Sequence, residues 1–92
     1  MTSSSDSLVM TIFECINDCK KTAFSPEIIG LDAYLGGDLG IDSREMLEIW
    51  YEIEKKLGVE IHDHKKRDIY KIEDVIRVFE LAIEDKSELA FS

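Results

Sequence analysis

Apolar residues recur at every third or fourth position in three segments of this 92-residue chain, and no other feature restricts its fold as strongly. That spacing is typical of helices that bury one face. The first helix should begin near Ser5 or Asp6, which are good N-cap residues, and end at Lys20 or Lys21. Its apolar face comprises Leu8, Val9, Ile12, Phe13, Ile16 and Cys19. We interpret Cys19 as a small core residue without chemistry of its own.

The second helix is predicted from about Ser43 to Leu57, with Asp42 or Ser43 as its N-cap and Gly58 directly after its last turn. At about 100° per residue, its core face comprises Met46, Trp50, Ile53 and Leu57, with Ile49 at the edge. The side chains expected to point into solvent are those of Glu45, Glu48 and Glu52.

Two apolar residues of this helix, Leu47 and Tyr51, fall on a different flank, close to the direction of Ser43. Apolar residues away from the core face are typical of a contact surface for another molecule. The preceding loop could instead cover them, and the spacing leaves both alternatives open.

The third main helix should run from about Lys71 to Asp85. Its buried stripe comprises Ile72, Val75, Ile76, Phe79, Ala82 and Ile83. Before it, residues 59–61 form a short extended link and residues 62–68 a short helix or turn. The sequence therefore predicts an all-α fold, a bundle of three main helices plus a short helix in third position. We expect a single domain over residues 1–92, with a core of about 6–84 and flexible tails.

Residues 22–42 connect the first two helices. A structureless loop of this length would be unusual inside a compact domain. Its apolar residues are Phe24, Ile28, Ile29, Leu31, Leu35, Leu39 and Ile41. We therefore expect an ordered loop that packs against the core, with a single helical turn starting at Ser25-Pro26-Glu27.

The formal net charge of −9 disfavours binding to nucleic acids and anionic membranes and favours basic protein partners. Many cytosolic proteins are acidic only because a net charge keeps them soluble, so the charge by itself does not indicate a partner. Because the chain has neither a signal peptide nor a long apolar run, we expect a cytoplasmic protein, and a monomer.

A metal site is not expected. Cys15 and Cys19 lie four apart on one helix, where a disulfide between them is geometrically unfavourable. His62 and His64 lack further convergent ligands. The acidic loop does not place calcium ligands and glycine in the register of an EF-hand.

Ser43 is the candidate functional residue, but not as a self-activated nucleophile. No histidine lies near it in sequence, and its surroundings are not a Gly-x-Ser-x-Gly elbow. At a helix N-terminus, however, backbone N–H groups and the helix dipole stabilise an anion, so a phosphodiester on the Ser43 hydroxyl would be favoured. An Asp-Ser pair alone is weak evidence, since it is a common helix cap.

Residues 38–43, Asp-Leu-Gly-Ile-Asp-Ser, followed by an acidic amphipathic helix, resemble the acyl carrier protein family. The order and spacing of the predicted elements extend the resemblance over about residues 6–84. It implies that Ser43 bears 4′-phosphopantetheine, transferred from coenzyme A by a phosphopantetheinyl transferase, and that Asp42 is the aspartate of the motif. The arm's thiol would then carry acyl or aminoacyl groups as thioesters, and partner enzymes would do the chemistry.

The resemblance also suggests partner contacts. Leu47 and Tyr51 match apolar positions that face partner enzymes in this family, and Glu48 matches an acidic contact position. Arg44 departs from the family pattern, in which an apolar residue follows the serine, and should alter which partners dock.

Two further departures are the basic run Lys65-Lys66-Arg67, where typical fatty-acid carriers are acidic, and Trp50. Together they favour a specialised carrier of polyketide or mixed polyketide–peptide synthesis over a general fatty-acid carrier. The length of the chain favours a discrete carrier, and a domain excised from a larger synthase is the alternative. The carrier's partners would include acyltransferase, ketosynthase or adenylation-type loading enzymes.

Other functions remain open at this level. Within the same class, the chain could serve fatty-acid synthesis or carry aminoacyl or peptidyl groups. From another class, it could be a structural adaptor that uses a carrier fold to bind partners without the arm. An enzyme with its own turnover is the least favoured alternative.

Overall fold

The helices form where the apolar spacing placed them. The structure, a computed structural model, describes residues 4–91, with the side chains of residues 7–86. Its elements are α1 (Ser4–Lys20), α2 (Ser43–Leu57), a 3₁₀ helix (Asp63–Lys66) and α3 (Ile72–Phe91). The all-α class is confirmed, and the bounds of α2 agree with the prediction. This agreement reflects strong local signals, since Asp42 caps the start and Gly58 ends the helix with a left-handed φ of 67°.

The core lies where α1 packs against both α2 and α3. Its largest fully buried side chains are Phe13, Phe79, Ile12, Ile16, Ile49, Ile53, Ile72, Val75 and Cys15. Trp50 is also buried, and its ring lies 5.4 Å from that of Phe79, tilted by 34°. A tilted pair at this distance adds to the stabilisation that burial of the two rings already provides. The unusual tryptophan is thus a core residue between α2 and α3.

The loop between α1 and α2 is ordered, as predicted, but not all of its apolar residues are covered. Ala33, Leu35, Leu39 and Ile41 are buried, whereas Ile28 is 75% exposed and Leu31 is 38% exposed, so the predicted packing of these two is wrong. The turn at Ser25 forms, since its carbonyl accepts hydrogen bonds from the N–H groups of residues 28 and 29, at 3.0 and 2.9 Å.

An isolated antiparallel bridge pairs Tyr34 of the loop with Lys71 just before α3. Around it, Leu35 N–H donates to Tyr70 C=O at 2.8 Å, and Ile72 N–H donates to Ala33 C=O at 3.2 Å. The loop is therefore attached to the segment that leads into α3. Sequence spacing did not predict this pairing, because each partner segment is too short to show a strand pattern.

Three other expectations need correction. Cys15 is the fully buried cysteine, and Cys19 is only partly buried. The apolar stripe of α3 suggested an end at Asp85, but the helix continues to Phe91, and α1 already begins at Ser4. The predicted flexibility of the tails remains a prediction, and residues 1–3 and 92 lie outside the described range. Among the described helices, none has both the length and the apolar character needed to cross a membrane.

Candidate functional site

Ser43 is the first residue of α2, and the residues around it fix the start of that helix. Asp42 has an extended backbone, with φ −90° and ψ 176°, and is the N-cap. Its Oδ1 accepts a hydrogen bond from Glu45 N–H at 2.8 Å, and Glu45 Oε1 accepts one from Asp42 N–H at 3.1 Å. This reciprocal capping box satisfies two backbone donors of the first turn. It also commits the Asp42 carboxylate to a structural role.

Lys20, at the end of α1, ties this capping box to the rest of the molecule. Its Nζ lies 3.0 and 3.2 Å from the two carboxylate oxygens of Glu45 and donates a hydrogen bond to Gly40 C=O at 2.8 Å. Gly40 has a positive φ of 70°, which favours glycine there. Sequence analysis treated Lys20 only as a residue suited to a helix C-terminus, and no local signal identifies its partners across 20 and 25 residues of chain. Because Glu45 pairs with Lys20, its side chain is half-buried and does not point into solvent as predicted.

Ser43 itself is exposed. Among the described residues, none accepts a hydrogen bond from the backbone N–H of Ser43 or Arg44, or pairs with the Ser43 hydroxyl. Donors left open in a first helical turn stabilise an adjacent anion. The residues present therefore fit a phosphodiester on Ser43, because an accessible hydroxyl lies beside unsatisfied N–H groups on a fixed turn.

A shallow groove of about 280 Å³ opens beside Ser43. It is lined by residues of the loop, of α2 and of the segment before α3: Tyr34, Leu35, Gly36, Gly37, Ile41, Asp42, Ser43, Met46, Ile69 and Tyr70. The described lining contains no histidine that could act as the base of a serine nucleophile. Its one carboxylate is that of Asp42, whose Oδ1 accepts the capping hydrogen bond from Glu45 N–H.

The flank of α2 next to Ser43 is not covered by the loop. Leu47 is 66% exposed and Tyr51 is 62% exposed, so the structure decides between the two alternatives that spacing left open. With Glu48, Glu52, Asp18 and Cys19, these side chains line a second groove, of about 440 Å³, between α1 and α2. The lining thus places two exposed apolar side chains beside the carboxylates of Asp18, Glu48 and Glu52.

Neither cysteine is prepared for chemistry. Burial, and after it the Glu48 carboxylate, whose Oε2 lies 3.3 Å from Sγ, raise the pKa of the Cys19 thiol to about 11. Burial likewise raises the pKa of Cys15. A thiol with a raised pKa is a poor nucleophile at neutral pH because little thiolate is present. Among the described residues, no three His, Cys, Asp or Glu side chains are placed to bind a metal ion.

The basic run divides into structural and exposed members. Lys66 Nζ lies 5.5 Å from the centroid of the Trp50 ring and 3.5 Å from Glu54 Oε2, so it helps cover the core tryptophan. Lys65 and Arg67 are exposed. Arg44 is exposed too, and its guanidinium forms no ion pair within the described range. Three cations are thus free to meet a partner.

The sequence can be compared with those of known proteins. It is 30% identical over 73 residues to an acyl carrier protein of Campylobacter hominis, a match that covers 77% of this chain and 92% of that protein. This chain belongs to the acyl carrier protein family. An acyl carrier protein of Rickettsia bellii is 42% identical over 50 residues, 54% of this chain and 58% of that protein. An acyl carrier protein of Renibacterium salmoninarum is 30% identical over 73 residues, a match that covers 79% of this chain and 88% of that protein. No model of a protein family matches the sequence.

Membership of the acyl carrier protein family supports a carrier role. The predicted site residues are brought together only in part. Asp42, Ser43 and Arg44 share the first turn of α2, and Leu47, Glu48 and Tyr51 line the exposed flank below it. Lys20, Tyr34 and Tyr70 were missed as site residues, because they reach this region through the tertiary fold.

Proposed function

We propose that this chain holds acyl groups as thioesters on a 4′-phosphopantetheine arm attached to Ser43, and presents them to partner enzymes. The observation that carries the proposal is the exposed Ser43 hydroxyl at a capped helix start, with open N–H donors beside it and no candidate base in the adjoining groove. An accessible hydroxyl without a base of its own supports modification by another enzyme. The attached group supplies the thiol that forms the thioester.

The chain's own residues hold and present the site. The capping box and Lys20 keep the start of α2 in place, and the N–H groups of Ser43 and Arg44 can stabilise the charge of the phosphodiester. Leu47, Glu48 and Tyr51 provide the surface to which partner enzymes dock. Because both cysteine thiols have raised pKa values, neither competes with the arm's thiol for acyl groups at neutral pH.

The proposed pathway is polyketide or mixed polyketide–peptide synthesis, with a phosphopantetheinyl transferase that installs the arm and an acyltransferase, ketosynthase or adenylation-type enzyme that loads it. Exposed Arg44 directly after the serine, and exposed Lys65 and Arg67 on and beside the 3₁₀ helix, support dedicated partners, since rim charges select which proteins dock. Fatty-acid and aminoacyl carriers are the alternatives within this class.

Intact mass spectrometry tests the proposal. The apo protein is incubated with coenzyme A, magnesium and a broad-specificity phosphopantetheinyl transferase. We expect one addition of about 340 Da, the mass of the arm. Ser43→Ala should gain nothing, whereas Ser25→Ala, which removes the serine of the loop turn, should be modified like the wild type.

Failure of the folded wild type to gain mass, with transferases of both broad and native-host specificity, would contradict the proposal and favour a structural adaptor. In that case Ser43→Ala would keep its partner binding. If the arm is added, exposure to acyl-coenzyme A with an acyltransferase, or to amino acid and ATP with an adenylation enzyme, shows which class of group is loaded.

A further inference from the structure

Two tyrosines stand at the rim of the groove beside Ser43, and neither has a role in the core. Tyr34 is 51% exposed and Tyr70 is 60% exposed. They are brought together by the bridge between Tyr34 and Lys71 and by the hydrogen bond from Leu35 N–H to Tyr70 C=O. Each lies on a backbone fixed by this pairing. Large aromatic side chains held half-exposed around a recess are more typical of a ligand site than of a simple surface.

The groove combines an apolar floor with hydroxyl groups at its rim. Leu35, Ile41, Met46 and Ile69 contribute the floor. The Tyr34 hydroxyl makes no hydrogen bond to any described residue, and Tyr70 Oη lies 3.3 Å from Asp68 Oδ1. Lys71 Nζ lies 5.3 Å from the centroid of the Tyr34 ring, and this cation–π contact helps to hold the ring in place. The recess therefore suits a ligand whose apolar groups alternate with amides.

Ser43 lines this groove, so whatever is attached to its hydroxyl starts at the groove's edge. The arm of the proposed function has that alternation: a gem-dimethyl group followed by two amides. The volume of about 280 Å³ lies just below the usual range for ligand pockets, about 300 to 1,000 Å³, so the groove can take part of such an arm but not all of it. The space between α2 and α3 next to Phe79 is filled by the ring of Trp50.

We infer that Tyr34 and Tyr70 bind the part of the 4′-phosphopantetheine arm nearest Ser43 and hold it along the loop surface, outside the bundle. The inference rests on the proposed function, since it requires an arm on Ser43. The apolar lining residues would contact the gem-dimethyl group, and the Tyr34 hydroxyl would be available to hydrogen-bond the first amide. The rest of the arm and its acyl group extend beyond the groove, where partner enzymes reach them.

Two-dimensional NMR of apo and holo protein tests this assignment, after intact mass has shown that the arm is present. We expect holo-minus-apo shift changes at Gly36, Gly37, Ile69 and Tyr70, and nuclear Overhauser contacts from the gem-dimethyl protons to both tyrosine rings. The double variant Tyr34→Ala/Tyr70→Ala should lose these contacts, whereas Leu81→Ala, which removes an exposed apolar side chain of α3 outside both grooves, should keep them.

A second variant covers the case in which the alanine protein does not fold. Tyr34→Phe/Tyr70→Phe keeps the rings, so it should retain the gem-dimethyl contacts and lose only the shift change at the arm's first amide. Mass gain with shift changes confined to Ser43 and its chain neighbours would overturn the inference while leaving the carrier function intact. So would contacts from the arm to Trp50, which would place it inside the bundle. Absence of mass gain would instead contradict the proposed function.

Discussion

Asp42 and Ser43 are adjacent, but the structure gives them separate tasks. The Asp42 carboxylate closes the capping box with Glu45, and the Ser43 hydroxyl remains exposed. A serine that is to be modified must be both accessible and fixed in position. Asp42, by capping α2, fixes the position of Ser43. Cys19 shows the opposite case, a reactive residue type made inert by its surroundings. Its thiol is partly buried against Glu48, which opposes formation of the thiolate.

The Cys19 thiol should respond to the charge at position 48. Its pKa of about 11 means that alkylation by iodoacetamide approaches its half-maximal rate only near that pH. Glu48→Gln removes a charge and an acceptor that raise the pKa, so the rate profile should shift to lower pH. Peptide-resolved mass spectrometry measures the rate at Cys19 separately from that at Cys15.

Glu52→Gln is the matched control, since Glu52 lines the same groove but is not among the groups that shift this thiol. It should leave the profile of Cys19 in place. Identical profiles for Glu48→Gln and wild type would show that Glu48 does not raise the pKa of the Cys19 thiol.

At the scale of elements, α2 serves two surfaces at once. One face contributes Ile49, Trp50 and Ile53 to the core, and the neighbouring flank exposes Leu47 and Tyr51. Because adjacent residues on a helix differ by about 100° in direction, a single helix can support the fold through one face and bind partners through another. Mutations on the two faces should therefore have separable effects.

Leu47→Ala and Tyr51→Ala should each change the free energy of unfolding by no more than about 0.5 kcal/mol, as expected for exposed positions. Both should weaken docking of the transferase, measured as a higher KM for the apo carrier. Ile49→Ala is the control on the core face and should cost about 2–5 kcal/mol in urea unfolding.

Losses of stability for Leu47→Ala or Tyr51→Ala comparable to that of Ile49→Ala would place these side chains inside the protein. An unchanged KM for all partners tested would remove the docking role from this flank.

At the scale of the whole molecule, the site depends on contacts between distant parts of the chain. The radius of gyration is 13.0 Å, as for a compact chain of about 100 residues. Lys20 joins α1, the loop at Gly40 and the start of α2. The bridge at Tyr34 joins the same loop to the segment before α3. The position of Ser43 is thus fixed from both sides.

Lys20→Met should destabilise the protein by about 1–2 kcal/mol, between the values for exposed and buried ion pairs, because the Lys20 and Glu45 side chains are only 20% and 27% exposed. Chemical denaturation measures the loss. Lys21→Met changes the neighbouring, exposed lysine and should have little effect. Equal losses for the two variants would mean that the contacts of Lys20 with Gly40 and Glu45 do not stabilise the fold.

Much of this protein follows from its sequence. The apolar spacing determined three helices and the all-α class, and Asp42 and Gly58 fixed the ends of α2, because capping acts between residues a few positions apart. The hexapeptide ending at Ser43 pointed to the family that the relatives then showed. Helical periodicity also placed Leu47 and Tyr51 on a flank away from the core face, but it did not predict whether the loop would cover them.

Only the tertiary structure decided the rest. It placed Cys15 in the core and Cys19 at a groove, because α1 packs against two helices and its buried face is therefore set by both neighbours. It left Leu47 and Tyr51 uncovered, paired Lys20 with Glu45, and assembled the groove beside Ser43 from three separate segments. Such contacts join residues far apart in the chain, and local spacing carries no information about which distant side chains will meet.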